Sequence, residues 1–242
     1  MIDPIVSALP VRHGFFTRAG GVSTGSYASL NASTSGGDDP AHVAENRARI
    51  ARHLGAATLL GVTQVHGAAV ITVTELWAAG AGAQADAMVT NRPGLALGIV
   101  TADCAPVLLY GGGAIGAVHA GWRGAVLGVL EATAAAMRAL GAADITAVIG
   151  PCIRQPSYEV GPDLRDAVLG HNGMHSGLFA PGQAGRWQFD LAGYCAARLM
   201  GLAAVITVDA DTYADPARFW SHRRRTLAGG GPIGHQLSAI VL

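Results

Sequence analysis

Lysine is absent from this sequence of 242 residues, and cysteine, aromatic and charged residues are scarce. All 16 basic side chains are therefore arginines, which excludes a Schiff-base lysine and a P-loop lysine. The three cysteines contain no C-x-x-C pair and do not suggest a disulfide framework, so we expect a reducing compartment. The formal net charge is zero, and nothing in the charge pattern suggests a nucleic acid or a membrane surface as partner.

No segment is typical of a secretory signal or of a membrane span. Residues 1–16 lack a basic region followed by an apolar run. The apolar stretch at 125–140 contains Glu131 and Arg138, which argues against a transmembrane helix. We therefore expect a cytoplasmic protein whose partners are small molecules. Its size and neutral charge are compatible with a monomer.

Half of the residues are hydrophobic, with much Ala and Gly, which predicts one closely packed domain over residues 1–242. Strand and helix patterns alternate, so the expected class is α/β or α+β with a mixed β-sheet. Residues 14–40 are rich in Gly, Ser, Asn and Asp and predict an extended loop, for which binding is the usual reason. We expect helices at 41–54, 124–140, 162–170 and 190–201, and strands within 57–74 and at 95–101, 106–110, 114–119, 145–149, 203–209 and 236–242.

Three residues that bind metals well each lie at the predicted end of a strand, beside Gly or Pro. They are His66 in TQVHG, Cys104 in TADCAP and His119 in AVHAGWRG. Neighbouring strands can bring such ends together, and two imidazoles with one thiolate suit Zn²⁺ or a copper ion. Three protein ligands leave a fourth position for water or substrate, which is typical of a catalytic site.

Each of these residues also has an ordinary structural explanation when it is taken alone. A single histidine is more often a hydrogen-bonded structural residue, and a buried cysteine commonly acts as a small hydrophobic side chain. The metal site therefore depends on the three residues being considered together.

Arginines are the second chemical theme of the sequence. Arg18 lies in the Gly-rich loop, Arg47 on the first predicted helix and Arg123 four residues after His119, and a run occupies positions 223–225. Guanidinium groups bind phosphate or carboxylate through paired hydrogen bonds. A solvated surface position is the alternative explanation for any one of them.

Nine motifs in order along the chain resemble those of the YfiH family, whose members include proteins called multicopper polyphenol oxidase, laccase domain protein and peptidoglycan editing factor. They are TRAGGVS-x(3)-Y-x-SLN (17–31), D-P-x-x-V-x-x-NR (39–47), QVHG (64–67), D-A (86–87), TADC-x-PVLL (101–109), AVHAGWRG (117–124), GP-x-I (150–153), YEVG (158–161) and F-x-S-x-RR (219–224).

This resemblance implies an α/β sandwich related to the catalytic domain of a deamidating bacterial toxin, the cytotoxic necrotizing factor. It implies metal ligation by His66, Cys104 and His119, with zinc or copper. It also implies phosphorolysis of adenosine, inosine, guanosine and methylthioadenosine, together with deamination of adenosine. One departure is visible, because His235 stands where the family usually has arginine.

The activities place different demands on the remaining residues. Deamination needs a carboxylate to move protons, for which Asp103 and Glu159 are candidates, although Asp103 is equally a structural residue that fixes the Cys104 turn. Phosphorolysis needs cations for phosphate, for which Arg47 and Arg123 are the preferred candidates and Arg18 the third. Asn46, beside Arg47, is a further candidate for substrate binding.

Two other functions stay open. A multicopper oxidase needs about ten histidines, commonly in H-x-H pairs, whereas this chain has nine and no such pair. Copper-dependent phenol oxidation is therefore expected only as a side activity. A cysteine hydrolase or amidase acting on peptidoglycan precursors through Cys104, with His66 or His119 as base, is the main alternative, and a non-catalytic metal or nucleotide sensor is a weaker one.

Overall fold

Two β-sheets packed face to face, with helices on both outer surfaces, form the core of the protein. The structure is a computed structural model that describes residues 2–171 and 173–242, without the side chain of His171. In chain order the strands are β1 (His13–Phe15), β2 (Leu59–Leu60), β3 (Val70–Thr72), β4 (Ala87–Thr90), β5 (Ala96–Thr101), β6 (Ala105–Gly111), β7 (Ala114–Ala120), β8 (Thr146–Ile149), β9 (Glu159–Val160), β10 (Phe179–Pro181), β11 (Trp187–Phe189), β12 (Ala204–Thr207) and β13 (Gln236–Val241).

The sheets combine parallel and antiparallel neighbours. A four-stranded sheet has the order β1-β13-β5-β2, and a six-stranded sheet has the order β12-β8-β6-β7-β4-β3. β13, the last strand of the chain, pairs antiparallel with both β1 and β5. A small three-stranded sheet, β10-β11-β9, lies apart from these two.

Within the described residues, six α-helices flank the sheets. They are α1 (Pro40–Leu54), α2 (Trp122–Leu127), α3 (Val129–Ala139), α4 (Pro162–His171), α5 (Leu191–Leu199) and α6 (His222–Leu227). Asp39 caps the start of α1 by accepting a hydrogen bond from the Ala41 N–H, and Gly55 ends the helix in the left-handed conformation at φ 68°.

Alternating side chains of the strands separate the core into layers. Leu97 and Ile99 of β5 meet Leu108 of β6 between the two sheets. On the outer face of the four-stranded sheet, Ala96 packs with Ile50 of α1. On the outer face of the six-stranded sheet, side chains of β6 and β7 pack against α3 and α5. The layer order is therefore helix, sheet, sheet, helix.

The expected fold class is confirmed, while several elements differ from the sequence prediction. The single helix predicted at 124–140 is two helices, because Gly128 adopts a left-handed φ of 95° and interrupts the helix. The sequence predicts no element at β4, β9, β10, β11 or α6, whose short lengths carry little periodicity. Across the described ranges 2–171 and 173–242, no helix is long and apolar enough to cross a membrane.

Candidate metal centre

His66, Cys104 and His119 come together from three separate segments of the chain. Cys104 lies in the turn between β5 and β6, and His119 is the penultimate residue of β7. One potential ligand atom from each of the three residues lies within 4.8 Å of the other two. The Cys104 Sγ and His66 Nε2 atoms are 3.9 Å apart, and the two imidazole centroids are 4.7 Å apart.

His66 does not lie at a strand end, contrary to the sequence prediction. It belongs to the loop between β2 and β3 and has a positive φ of 60°, a conformation that non-glycine residues adopt rarely. The preceding Gln64 fixes this loop to β5, because its side-chain amide donates to the Val100 carbonyl and accepts from the Val100 N–H. Gln64 thereby continues the β-ladder with side-chain atoms beyond the end of β2.

Asp86 holds the loop of His66 in its unusual conformation. This fully buried carboxylate accepts hydrogen bonds from the backbone N–H groups of Val65, His66 and Gly67, at 3.2, 2.9 and 2.6 Å. It also accepts one from the Nδ1–H of His119 at 2.7 Å. Because Nδ1 donates to Asp86, Nε2 is the atom of His119 that can bind a metal, once it has released its own proton.

Two glycines of the HAGWRG motif leave space for the centre. A Cβ atom on Gly121 would lie 3.0 Å from both Cys104 Sγ and His66 Cδ2. A Cβ atom on Gly124, in the first turn of α2, would lie 2.8 Å from the carbonyl oxygen of Gly67. The backbone of β7 and α2 can therefore approach the two ligand loops only where side chains are absent.

The electrostatics of the centre favour a thiolate beside a charged imidazole. Burial raises the pKa of Cys104, but the nearby positive charge of His119 outweighs this and lowers it to about 6. Burial lowers the pKa of His119, but the Cys104 thiolate and the hydrogen bond to Asp86 raise it to about 9.

The donor set fits a transition-metal ion. Ligand atoms around one tetrahedral zinc ion are separated by roughly 3.3–3.8 Å, given metal–ligand bonds of about 2.0–2.3 Å. The separation of 3.9 Å between Cys104 Sγ and His66 Nε2 is close to this range. The buried Asp86 orients one ligand histidine from behind, as carboxylates commonly do around zinc.

The centre opens into a cavity of about 580 Å³. Its wall includes side chains from the Gly-rich N-terminal loop, the ends of β5 and β7, and the start of α6. Besides the three potential ligands, the polar and aromatic residues that line it include Ser33, Arg47, Gln64, Thr101, Asp103, Trp122, Tyr158, His222, Arg223 and His235. This size is sufficient for a small organic substrate.

Arg47 is the most buried arginine of the cavity wall and is 8% exposed. Its guanidinium donates to the carbonyl oxygens of Ala32 and Leu59, and no carboxylate pairs with it among the residues that the structure describes. Burial lowers its pKa to about 10, so that it stays protonated at neutral pH. Arg223 also lines the cavity, where it donates to the Glu159 carbonyl and lies over the ring of Tyr158.

The structure does not bring four other candidate residues to the cavity wall. Arg123 is exposed and stacks on the Trp122 ring, with its guanidinium carbon 4.5 Å from the ring centroid. Arg18 donates to the carbonyl oxygens of Ala28 and Pro216. Asn46 of α1 is buried against the N-terminal loop, to which its side-chain amide makes four hydrogen bonds, and Glu159 is absent from the cavity lining.

Asp103 lines the cavity. Its hydrogen bonds match a structural role, and not the proton transfer that was the other expectation from the sequence. One carboxylate oxygen accepts from the Thr212 hydroxyl at 2.7 Å. The other accepts from the Ser221 hydroxyl and from the Arg223 N–H, which fixes the start of α6.

Sequence reasoning missed Asp86 as a functional residue, although the D-A motif at 86–87 was a signal. It also missed Thr101, Tyr158 and His222, which the topology brings to the cavity from strand ends and loops far apart in the sequence.

A His–Cys–His cluster beside a cavity that polar and apolar residues line defines a candidate catalytic metal site, and comparisons with known proteins agree with such a class. The family model described as multi-copper polyphenol oxidoreductase laccase matches residues 12–242. The chain therefore belongs to this family, in which the YfiH proteins are found.

Several relatives in this family are named purine nucleoside phosphorylase. The one from Deinococcus radiodurans is 42% identical over 228 residues, 89% of this chain and 85% of that protein. The one from Escherichia coli, named YfiH, is 36% identical over 222 residues, 88% of each chain. The one from Streptomyces griseus is 48% identical over 163 residues, 64% of this chain and 66% of that protein.

A solved structure has the same fold. A Neisseria meningitidis protein of the family DUF152 superposes with a TM-score of 0.88 and 32% sequence identity. The match covers 100% of this chain and 98% of that chain.

Proposed function

We propose that this protein is a metal-dependent purine nucleoside enzyme that cleaves adenosine, inosine, guanosine and methylthioadenosine with phosphate, and that also deaminates adenosine. The main support is one structural observation: the His66–Cys104–His119 cluster lines the same cavity as Arg47, a buried arginine that pairs with no carboxylate among the described residues. The names of the relatives favour nucleosides and phosphate as the substrates.

The phosphate would be held by Arg47 and Arg223. Both arginines line the cavity, Arg47 buried and Arg223 half-buried. Neither pairs with a carboxylate among the described residues, so their positive charge favours an anion in the cavity. Arg223 replaces Arg123 in this role, because Arg123 lies outside the cavity lining.

His66, Cys104 and His119 would hold zinc, with copper as the alternative ion. When bound, the ion acts as a Lewis acid, which polarises an oxygen atom and makes a water molecule more acidic. Asp86 fixes the orientation of the His119 ring through Nδ1, and His119 in its charged form favours the thiolate of Cys104. The cavity wall around them would orient the nucleoside.

Phosphorolysis is favoured over deamination as the main reaction. Asp103 is the sole carboxylate among the described residues that line the cavity, and its two oxygens already accept three hydrogen bonds. Deamination would need such a carboxylate to exchange protons with the purine, so we expect it to be the slower activity.

An assay with adenosine in the presence and absence of inorganic phosphate tests this proposal. We expect phosphate-dependent release of adenine and ribose 1-phosphate, with inosine as a minor product. Products that do not depend on phosphate, or no products at all, would contradict it.

The role of Arg47 can be tested through the phosphate dependence of the same reaction. Arg47→Lys keeps the charge but loses the planar pair of donors, so the KM for phosphate should rise by about tenfold or more, since hydrogen bonds to charged groups contribute about 1.5–3 kcal/mol. Arg223→Met should act in the same direction. Arg52→Met, at an exposed position of α1, is the matched control, and thermal unfolding shows whether Arg47→Lys stays folded.

A cysteine hydrolase, such as an amidase acting on peptidoglycan precursors, is the second candidate function. Cys104, His119 and Asp86 are arranged as nucleophile, base and orienting carboxylate, the order of a cysteine–histidine–aspartate triad. Such an enzyme would keep full activity after complete removal of metal, whereas the nucleoside enzyme would lose it.

Three further properties are proposed. Among the described residues there is one cluster of potential His and Cys ligands, so phenol oxidation is proposed only as a side activity of bound copper. A cytoplasmic location and a monomeric state are proposed from the sequence, and cell fractionation and light scattering test them.

A further inference from the structure

Two buried polar atoms in residues of the cavity wall have no hydrogen-bond partner within the described part of the chain. They are the hydroxyl oxygen of Thr101, a residue that is 2% exposed, and Nδ1 of His235. Leaving such atoms unpaired lowers stability, so their retention beside a cavity points to a ligand that satisfies them.

The two residues lie at the same end of neighbouring strands. Gln236 is paired with Thr101 across the β5–β13 ladder, and His235 immediately precedes Gln236. The backbone of His235 is held on both sides: its N–H donates to the Asn31 side chain at 2.9 Å, and its carbonyl accepts from the Ala32 N–H at 3.3 Å. The backbone that carries the imidazole is therefore fixed by contacts within the protein.

Both groups are uncharged at neutral pH. Burial lowers the pKa of His235 to about 4, and the positive charges of His222, His119 and Arg225 act in the same direction. The arginine that the family resemblance predicts at position 235 would be a cation, whereas this neutral imidazole and the Thr101 hydroxyl suit uncharged polar groups. Phosphate, an anion, is better bound by the positively charged Arg47 and Arg223.

Among the uncharged parts of a nucleoside, the ribose matches this pair best. Its hydroxyls both donate and accept hydrogen bonds, as an alcohol and a neutral imidazole require. The purine edge differs among adenosine, inosine and guanosine, so a histidine with one fixed tautomer could not bind all of them equally, whereas the sugar is common to the three.

We propose that Thr101 and His235 form the subsite for the ribose hydroxyls, an inference that rests on the proposed nucleoside function. Thr101→Val tests it with a side chain of nearly the same shape that lacks the hydroxyl. If the hydroxyl served only the fold, removing an unpaired buried group would leave stability equal or higher and would leave sugar preference unchanged.

The experiment compares kcat/KM for adenosine, 2′-deoxyadenosine and 3′-deoxyadenosine. The unmodified protein should prefer adenosine over at least one deoxy compound by about tenfold, the effect of one lost hydrogen bond. Thr101→Val and His235→Ala should each lower the rate with adenosine and reduce that preference to about threefold or less, mainly through KM. Exposed His53 on α1 gives the control His53→Ala, which should keep the preference.

The outcomes separate this inference from the function on which it rests. If the unmodified protein neither binds nor cleaves any of the three nucleosides, the proposed function fails. If it cleaves them and both variants keep the full preference for adenosine, the ribose subsite is overturned. A change in the preference for adenosine over inosine, without a change in sugar preference, would assign the pair to the purine instead. Should His235→Ala not fold, Thr101→Val carries the test alone.

Discussion

Asp86 connects the two histidines of the centre without itself being a ligand. It binds three backbone N–H groups of the His66 loop and the imidazole of His119, so one carboxylate sets both the position of one histidine and the tautomer of the other. Its pKa is lowered, because hydrogen bonds from His119 and from the His66 loop outweigh the effect of burial. This residue is ionised throughout the neutral range.

Asp86→Asn should weaken zinc binding by about 10- to 100-fold, the usual effect of losing a carboxylate behind a ligand histidine. The amide cannot accept hydrogen bonds at all the positions that the carboxylate occupies, so the His66 loop should also loosen. Competition with a chelator of known affinity measures the change. Asp163→Asn, at an exposed position of α4, should bind zinc like the unmodified protein, and equal affinities in the two variants would contradict the role of Asp86.

Cys104 should be reactive at lower pH than an ordinary thiol in metal-free protein. Its pKa of about 6 means that alkylation by iodoacetamide rises as pH increases through about 6, rather than through the ordinary value near 9. Cys152 and Cys195 are fully buried with raised pKa values, so they should stay unmodified in the folded protein. Mass spectrometry identifies the modified residue, and a midpoint near 9 for Cys104 would disprove the predicted pairing with His119.

At the scale of elements, the close approach of α2 to the His66 loop depends on glycine. Gly121→Ala would place a Cβ atom 3.0 Å from both Cys104 Sγ and His66 Cδ2, tighter than ordinary contacts. Two ligands would have to move, so zinc affinity should fall by at least tenfold, a loss of about 1.4 kcal/mol. Isothermal calorimetry with zinc measures this fall.

A second glycine provides the control for this prediction. Gly170 lies in α4, and a Cβ atom there meets nothing within 4 Å. Gly170→Ala should therefore keep zinc affinity and raise the free energy of unfolding by about 0.5–1 kcal/mol, because alanine favours helix over glycine. Unchanged zinc binding in Gly121→Ala would show that the loops accommodate the methyl group.

Sequence patterns predicted the elements with strong end signals and missed those that depend on tertiary packing. Asp39 and Gly55 mark the ends of α1, and Asp190 caps α5, so these helices were predictable. The interruption at Gly128 was not, because a glycine within an apolar helical pattern usually stays helical. The three potential ligands were predictable from their motifs, whereas Asp86 and the cavity wall depend on strand order, which periodicity does not contain.

At the scale of the whole molecule, the centre joins three segments that come from different parts of the fold. His66 comes from a loop between the two main sheets, Cys104 from the turn that links these sheets, and His119 from the middle of the six-stranded sheet. A metal ion bound to all three would connect the two layers of the sandwich. Zinc at 100 times its Kd should therefore raise the free energy of unfolding by about 2.7 kcal/mol.

Thermal unfolding with and without zinc checks this linkage. Cys104→Ala should show little or no increase in Tm on addition of zinc, since it lacks one of the three ligands. An equal increase in the variant and in the unmodified protein would place the bound zinc elsewhere.

The most direct test of the whole account is the phosphate-dependent cleavage of adenosine by one preparation in three states: as purified, after complete removal of metal, and after addition of one equivalent of zinc. The account predicts adenine and ribose 1-phosphate from the first state, loss of both products on metal removal, and recovery with zinc, but no recovery in Cys104→Ala. Full activity in the metal-free protein would contradict it.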